Sequence, residues 1–418
     1  MLQQWPFRHF KQPGLYTMTF LKQPYTLQVS AKSQILWPHV GDRFYYRLAS
    51  RSCWQTINLA PRSFVQAYLQ QWATRVQALL PPQSVTLGLI TDTHMKFVNS
   101  RSYYGLNGLQ HLIEWLELPQ LLPLDLIAHL GDIVDGSDEP LTDQQLLWQA
   151  SRRFEKQACP YFIVKGNHDD HDKYDEHTAQ HLPTFQAQTF SKTMWQPMQQ
   201  QTAITTTAMA GVGYFDKGLV RLIFLNTSDV SFQTDAHGRR RYDHKKVLAL
   251  RQQQLQALVD LLTATTAPLV IILGHANLVN SRGQNALQYN GKVAHDLMKA
   301  YNQGLKGQVK AHYADSEFNV DLAFDFRQHP TSRIGAYLCG HRHVETQYLV
   351  DGIQYILLNV SALMGKKHFL TTKYNRAWER QYGTLQEFAG YVLNIDPQKR
   401  LLNLWGYGAA SPWRQFKI

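Results

Sequence analysis

The sequence predicts a layered α/β domain over residues 85–418, preceded by a small β-rich addition and a connecting helix. Three observations carry this. Short apolar runs recur at 85–90, 124–130, 161–164, 220–225, 269–273 and 334–338, each bounded by Gly, Asp or Asn, as in strands buried on both faces. Stretches with apolar spacing near 3.6 lie between several of them. The 418 residues are 44% hydrophobic and 12% aromatic, enough for a sizeable core, which excludes a disordered or collagen-like chain.

Each element follows in order. Residues 1–60 read as a β-rich accessory segment. Strands are expected at 15–20, 25–29 and 42–48, between turn signals such as Gln12-Pro13-Gly14. Residues 61–84 form the connection: apolar spacing over 62–80 predicts a helix, and Pro81-Pro82 ends it. Within the main domain, helices are expected at 104–116, at 143–156 with Thr142 as N-cap, and at 244–262 with Asp243 as N-cap. Segments 354–359, 387–395 and 400–405 alternate like antiparallel strands, with Asp396-Pro397 turning the last two. The intervals 171–219 and 276–333 break the rhythm. They are expected as insertions that wall or cover a site.

Composition narrows the function classes. Forty-two basic residues against 31 acidic ones give a net charge of +11 and an isoelectric point near 9.4. Such a surface attracts phosphoesters, nucleic acid or other anionic polymers. Cys53, Cys159 and Cys339 form no CxxC pair, which suits a reducing compartment. No signal peptide is visible, and no apolar stretch approaches the ~18–20 residues of a membrane span. The expectation is a cytoplasmic protein without a membrane span.

The chemistry-bearing residues sit just after apolar runs. Run 85–90 leads into Asp92 and His94, and run 124–130 into Gly131-Asp132 and Asp135. Run 161–164 leads into Gly166-Asn167-His168-Asp169, run 269–273 into Gly274-His275, and run 334–338 into Gly340-His341-Arg342-His343. Ligand sites of α/β folds lie at the carboxyl ends of strands. Carboxylate, amide and imidazole form a mixed oxygen and nitrogen donor set, which suits Mn, Fe or Zn rather than Ca²⁺ or a thiolate zinc site. There are more donors than one ion needs. Two metals sharing a carboxylate can clamp a phosphoryl group and acidify water.

The blocks DxH, GDxxD, GNHD, GH and GHxH, in this order and each preceded by a strand, resemble the calcineurin-like metallophosphoesterase family over about residues 85–360. The stretch 394–408 is also similar to the closing strands of bacterial and phage members. The resemblance implies a two-sheet sandwich flanked by helices (α/β/β/α). It implies one metal held by Asp92, His94, Asp132 and His343. It implies a second held by Asp132, Asn167, His275 and His341, with Asp132 bridging. His168 resembles the histidine that contacts phosphate and protonates the leaving group, and Asp169 would orient its ring. Asp135 is open between this site and a turn contact. The fourth block departs from the pattern: Ala276-Asn277 follows His275 where many relatives carry a second His or a Pro.

The activity this implies is dinuclear-metal phosphohydrolysis, with a metal-bridging hydroxide attacking a phosphoester. A diester is the first choice, because the DxH block resembles phosphodiesterase branches; a monoester is the other possibility. The alternative is a nuclease of the same superfamily. A non-catalytic scaffold is a third reading, weakened by the intact ligand set. The bland readings stand beside these. Asp170, His171 and Asp172 read as a solvated turn. Arg239-Arg240-Arg241 with Lys245-Lys246 read as a solvated face or as a contact for a phosphate polymer. His129 and Cys339 read as packed residues. Lys366-Lys367-His368 could face the mouth of the site.

Overall fold

The computed structural model describes residues 60–96, 107–329, 331–363, 380 and 383–418, with backbone alone at 107 and 141 and in strands at 14–20, 23–29, 39–40, 43–46 and 55–58. Cys53, Lys366-Lys367-His368, and the parts of the expected 42–48 strand and 104–116 helix at 42, 47–48 and 104–106 lie outside the described residues.

Strands β1 (Gly14–Phe20) and β2 (Gln23–Val29) pair antiparallel, and β3 (His39–Val40), β4 (Arg43–Tyr46) and β5 (Gln55–Asn58) form a second small sheet. Helix α1 (Ser63–Gln77) follows. Its Val65, Leu69, Trp72, Ala73 and Val76 fall on one face at helical spacing, and all are buried. The chain then runs through β6 (Val85–Ile90), α2 (Asn107–Trp115), α3 (Leu118–Leu121), β7 (Leu126–His129), α4 (Pro140–Glu155) and β8 (Tyr161–Ile163). Next come α5 (Asp172–Asp175), α6 (Gln196–Gln199), β9 (Thr205–Thr206), β10 (Gly213–Lys217), β11 (Val220–Leu225), α7 (Gln252–Thr263), β12 (Leu269–Gly274) and α8 (Gly291–Asn302). In the last part the described strands are β13 (Lys306–Ala311), β14 (Val320–Asp325), β15 (Arg333–Cys339), β16 (Thr346–Val350), β17 (Ile353–Leu357), β18 (Ala389–Asp396), β19 (Leu401–Gly408) and β20 (Arg414–Lys417), with single helical turns at Ser316–Phe318 and Leu385–Glu387.

Two large mixed sheets result. One has the order β20-β19-β18-β6-β7-β8, the other β16-β17-β15-β12-β11-β10-β9. The strands β6, β7 and β8 are mutually parallel, as are β11, β12, β15 and β17. The inner faces share one core, in which Phe162 of the first sheet stacks on Phe224 of the second at 3.8 Å between ring centres. Helices α1, α2 and α4 contribute to that core. On the other side Val270, Ile272 and Tyr337 of the second sheet pack with Leu255, Leu258 and Leu262 of α7 and Leu297 and Met298 of α8. The architecture is therefore the α/β/β/α sandwich expected. No helix among the described residues is long and apolar enough to cross a membrane.

Several local expectations are corrected. Helix α4 begins before Thr142, which lies in its first turn rather than at the cap. Pro140 sits at the helix start, where its missing N–H costs nothing. The helix expected over 244–262 begins only at Gln252. The backbone before it is held extended from outside: Leu248 N donates to Gln288, and Ala249 N to Thr227 O at 3.0 Å. The two long intervals are not bare loops. Phe185, Phe190, Met194, Trp195 and Met198 from the first enter the main core, and β9 and β10 extend the second sheet. The second interval supplies α8 and the β13–β14 hairpin. Parts of each interval are thus packed layers of the sandwich, and each interval begins directly after a motif block, at 166–169 and at 274–275.

Candidate metal centre

The parallel strands β6, β7, β8, β12 and β15 all deliver their following residues to one edge of the sandwich. After β6 the chain presents Asp92 and His94, after β7 Asp132, after β8 Asn167 and His168, at the end of β12 His275, and after β15 His341 and His343. The backbone turns sharply there. Asp92, His94, Asp132, His341 and His343 all have positive φ, between 41° and 65°. Left-handed backbone at non-glycine residues is costly and concentrates at functional sites. Gly131, at φ 95°, brings the loops together: a Cβ there would lie 2.7 Å from His275 Nδ1 and 2.8 Å from the Cα of Gly166.

The side chains converge into two nests that share one oxygen. In the first, His94 Nε2 lies 3.0 Å from His343 Nε2, 3.9 Å from Asp92 Oδ1 and 3.7 Å from Asp132 Oδ2. His343 Nε2 is 3.2 Å from Asp92 Oδ1. In the second, Asn167 Oδ1 lies 3.0 Å from both His275 Nε2 and His341 Nδ1, and His275 Nε2 is 3.2 Å from the same Asp132 Oδ2. The remaining polar atoms of these groups are fixed from behind. His275 Nδ1 donates to Leu130 O at 2.8 Å, which leaves Nε2 facing the nest. Asn167 Nδ2 donates to Lys245 O at 2.8 Å, which turns Oδ1 inward. Asp132 Oδ1 accepts from His168 N, and Asp92 Oδ2 from Thr91 Oγ1 and His341 N.

Electrostatics make the nests cation-seeking. Burial raises the Asp132 carboxyl, but His275 and His168 outweigh it and hold the group well below the usual range. Burial lowers His275, yet Asp132 and Asp92 lift it to about 9, so the pocket demands positive charge beside its carboxylates. Burial pulls His341 down to about 3 and His168 to about 4, so both rings are neutral near pH 7. Metal–ligand bonds of ~2.0–2.2 Å place neighbouring ligands roughly 3.0–3.5 Å apart, close to the spacings in both nests. Imidazole N–H groups can make these contacts as hydrogen bonds, and on giving up those protons the same nitrogens and oxygens turn their lone pairs toward a shared cation. The residues fit a pair of metal ions.

Other expectations fare differently. Asp169 does not touch the His168 ring. Its Oδ1 accepts from Ile133 N and Val134 N, and its Oδ2 from Gly166 N, so it ties the β7 and β8 loops together. The ring-orienting role belongs instead to the Asp135 carbonyl, which accepts from His168 Nδ1 at 2.9 Å. The Asp135 carboxylate lies 3.5 Å from His94 Nδ1 and binds Lys96 and Lys173. Asp135 is therefore part of the site's support, as its place in GDxxD could have signalled. The supporting carbonyls of Leu130 and Lys245 carry no sequence signal. Asp170, His171 and Asp172 are buried, not solvated, and each has a partner: Lys165, Asp143 and Arg240. The basic cluster is divided: the Arg240 side chain is buried, whereas Arg239, Arg241 and Lys246 are exposed as a solvated face would be. Arg240 pairs with Asp172, Arg241 with Asp315, and Lys245 and Lys246 with Glu176. His129 is packed as expected, beside Thr93 Oγ1 at 2.9 Å, and Cys339 is buried.

The profile of calcineurin-like phosphoesterases matches residues 85–345, and the chain belongs to that family. It is a metal-dependent phosphoesterase, and its family and the clusters of carboxylates and imidazoles described above suggest a dinuclear site. Among solved structures, the chain is similar to a dimetal phosphatase from Danio rerio at 14% identity and a TM-score of 0.49, over 80% of this chain and 98% of that one. It is also similar to the phosphopantetheinyl hydrolase of Mycobacterium tuberculosis at 14% identity and a TM-score of 0.33, over 67% and 91% of the two chains. No curated protein matches.

Proposed function

We propose that this chain is a dinuclear-metal phosphodiesterase. The observation that carries the reading is the position of Asp132 Oδ2, which faces His94 Nε2 on one side and His275 Nε2 on the other. In this reading Asp92, His94, Asp132 and His343 hold one ion, and Asp132, Asn167, His275 and His341 hold the other. The ions, when bound, acidify water and polarise the phosphoester. His168 Nδ1 is committed to the Asp135 carbonyl, so Nε2 is left for the substrate; it delivers a proton to the leaving group only after taking one up, which the negative charge of a bound phosphoester favours. Asp135 keeps the His94 ring turned with Nε2 toward the first ion.

The diester preference rests on the DxH block. The nuclease alternative draws on the 239–246 cations to hold a polynucleotide backbone; of these the Arg240 side chain is buried against Asp172, while Arg241, Lys245 and Lys246 pair with carboxylates and Arg239 is exposed. The test is an Mn²⁺-supplemented panel of p-nitrophenyl phosphate, bis-p-nitrophenyl phosphate, cyclic nucleotides and single-stranded DNA, with metal analysis of protein purified without chelator. Two ions per chain and preferential turnover of bis-p-nitrophenyl phosphate are expected. A single ion away from Asp132, or turnover confined to DNA, overturns the proposal.

A further inference from the structure

The sequence cluster at 239–246 has a use at the metal centre that its charge alone does not suggest. The Lys245 carbonyl is the acceptor that fixes the Asn167 amide. With Nδ2 held there, Oδ1 points at His275 and His341; an amide turned over would present its NH₂ to a cation and repel it. The segment carrying that carbonyl is held by a buried clamp. The Arg240 side chain is only 6% exposed. It pairs with Asp172, donates to the Asp170 carbonyl at 2.9 Å, and lies over the Phe232 ring at 4.3 Å from its centre. His244 binds the Asp170 carboxylate through Nδ1 at 2.6 Å, and its backbone N–H donates to Asp172. Lys165 Nζ completes the clamp at 2.6 Å from Asp170. Asp170 and Asp172, which both Arg240 and His244 engage, lie within five residues of Asn167. The clamp locks the segment bearing the acceptor onto the segment bearing the amide.

We propose that Arg240 is a positioning residue for Asn167, acting through the Lys245 carbonyl. The inference rests on reading Asn167 as a ligand of the second ion. Partners that orient metal ligands commonly govern affinity by about 10–100-fold. The test is Mn²⁺ binding to the metal-free full-length protein by calorimetry, for wild type, Arg240→Ala, Arg240→Lys and Asp172→Asn. Asp172→Asn is isosteric and keeps an acceptor for His244 N, so it guards against misfolding of Arg240→Ala. Both variants are expected to bind one of the two ions about 10–100-fold more weakly and the other as wild type does. Arg240→Lys, which keeps charge but loses the fork, falls between. At saturating Mn²⁺, kcat recovers while KM is unchanged. Two ions bound at wild-type affinity by folded Arg240→Ala and Asp172→Asn overturn the inference and leave the ligand reading standing. Equal weakening at both ions also overturns it, since that marks a merely structural role. A wild type that binds only one ion overturns the ligand reading and the inference together.

Discussion

Gly131→Ala adds one methyl to a residue that is not a proposed ligand, and it is expected to disable the metal centre. Two effects can be separated. The residue sits at φ 95°, where an L side chain is strained by about 1–2 kcal/mol. The new Cβ would also lie 2.7 Å from His275 Nδ1 and 2.8 Å from Gly166 Cα and N, whereas ordinary contact begins at 3.4 Å. His275 therefore has to move by more than half an ångström, and the Gly166 backbone blocks retreat on the other side. A ligand misplaced by ~1 Å costs on the order of 10²-fold in rate. Gly218→Ala is the control: φ is 55° and nothing lies within 4 Å of the added Cβ. It should lose ~1 kcal/mol of stability with metals and turnover intact. The assay pairs metal analysis with bis-p-nitrophenyl phosphate kinetics and urea unfolding. Expected for Gly131→Ala is loss of the ion beside His275 and at least a 50-fold fall in kcat/KM. Two ions at wild-type affinity, with turnover within threefold, would refute the geometric argument.

Three further outcomes are expected. Asp132→Asn loses both metals and hydrolysis, while His168→Ala keeps its metals and loses hydrolysis; metal loss from His168→Ala would contradict its assignment to substrate. Arg62→Ala takes the guanidinium away from the buried carboxylates of Glu114 and Glu387, which it holds at 2.7 and 2.8 Å, and should cost about 3 kcal/mol in urea unfolding at pH 7. Burial raises the Glu387 carboxyl, but His111 and Arg62 hold it at about 2. This depressed group stabilises the fold fully above its unfolded value of ~4.3 and loses that contribution as pH falls toward 2. The gap between wild type and Arg62→Ala should therefore narrow below about pH 4, and a gap independent of pH would contradict the ion-pair account. Chelation should lower the melting temperature reversibly, since an ion at 100 times its Kd adds about 2.7 kcal/mol; an unchanged melting curve would contradict linkage of metal to fold.

The sandwich and the donor residues were legible because their signals are local. Each block is a buried strand, a tight turn and a polar donor, all within about ten residues. What escaped reading depends on distant partners. Asp170, His171 and Asp172 look like a solvated turn until Lys165, Asp143 and Arg240 are folded against them. The 244–250 stretch has helical spacing, but hydrogen bonds from Thr227 and Gln288 prevail over that local preference. The strands β13 and β14 pair as an outer hairpin with many exposed positions, so β13 lacks the apolar run that marks a buried strand. The role given to Asp169 failed differently. Its neighbour His168 was the obvious partner in sequence, but the tight turn directs the carboxylate back onto the main chain.

The strands that deliver the donors belong to different sheets. Asp92, His94, Asp132 and Asn167 follow β6, β7 and β8 of one sheet, and His275, His341 and His343 follow β12 and β15 of the other. In the proposed ligation each ion draws on both, so the pair works as a rivet through one rim of the sandwich. Behind the rim the two halves are joined by side-chain packing, which resists separation better than sliding. Removing the ions should therefore free a shearing motion at that rim. Amide hydrogen exchange would report it as faster exchange at the carboxyl ends of β7 and β12, while the strand centres stay protected.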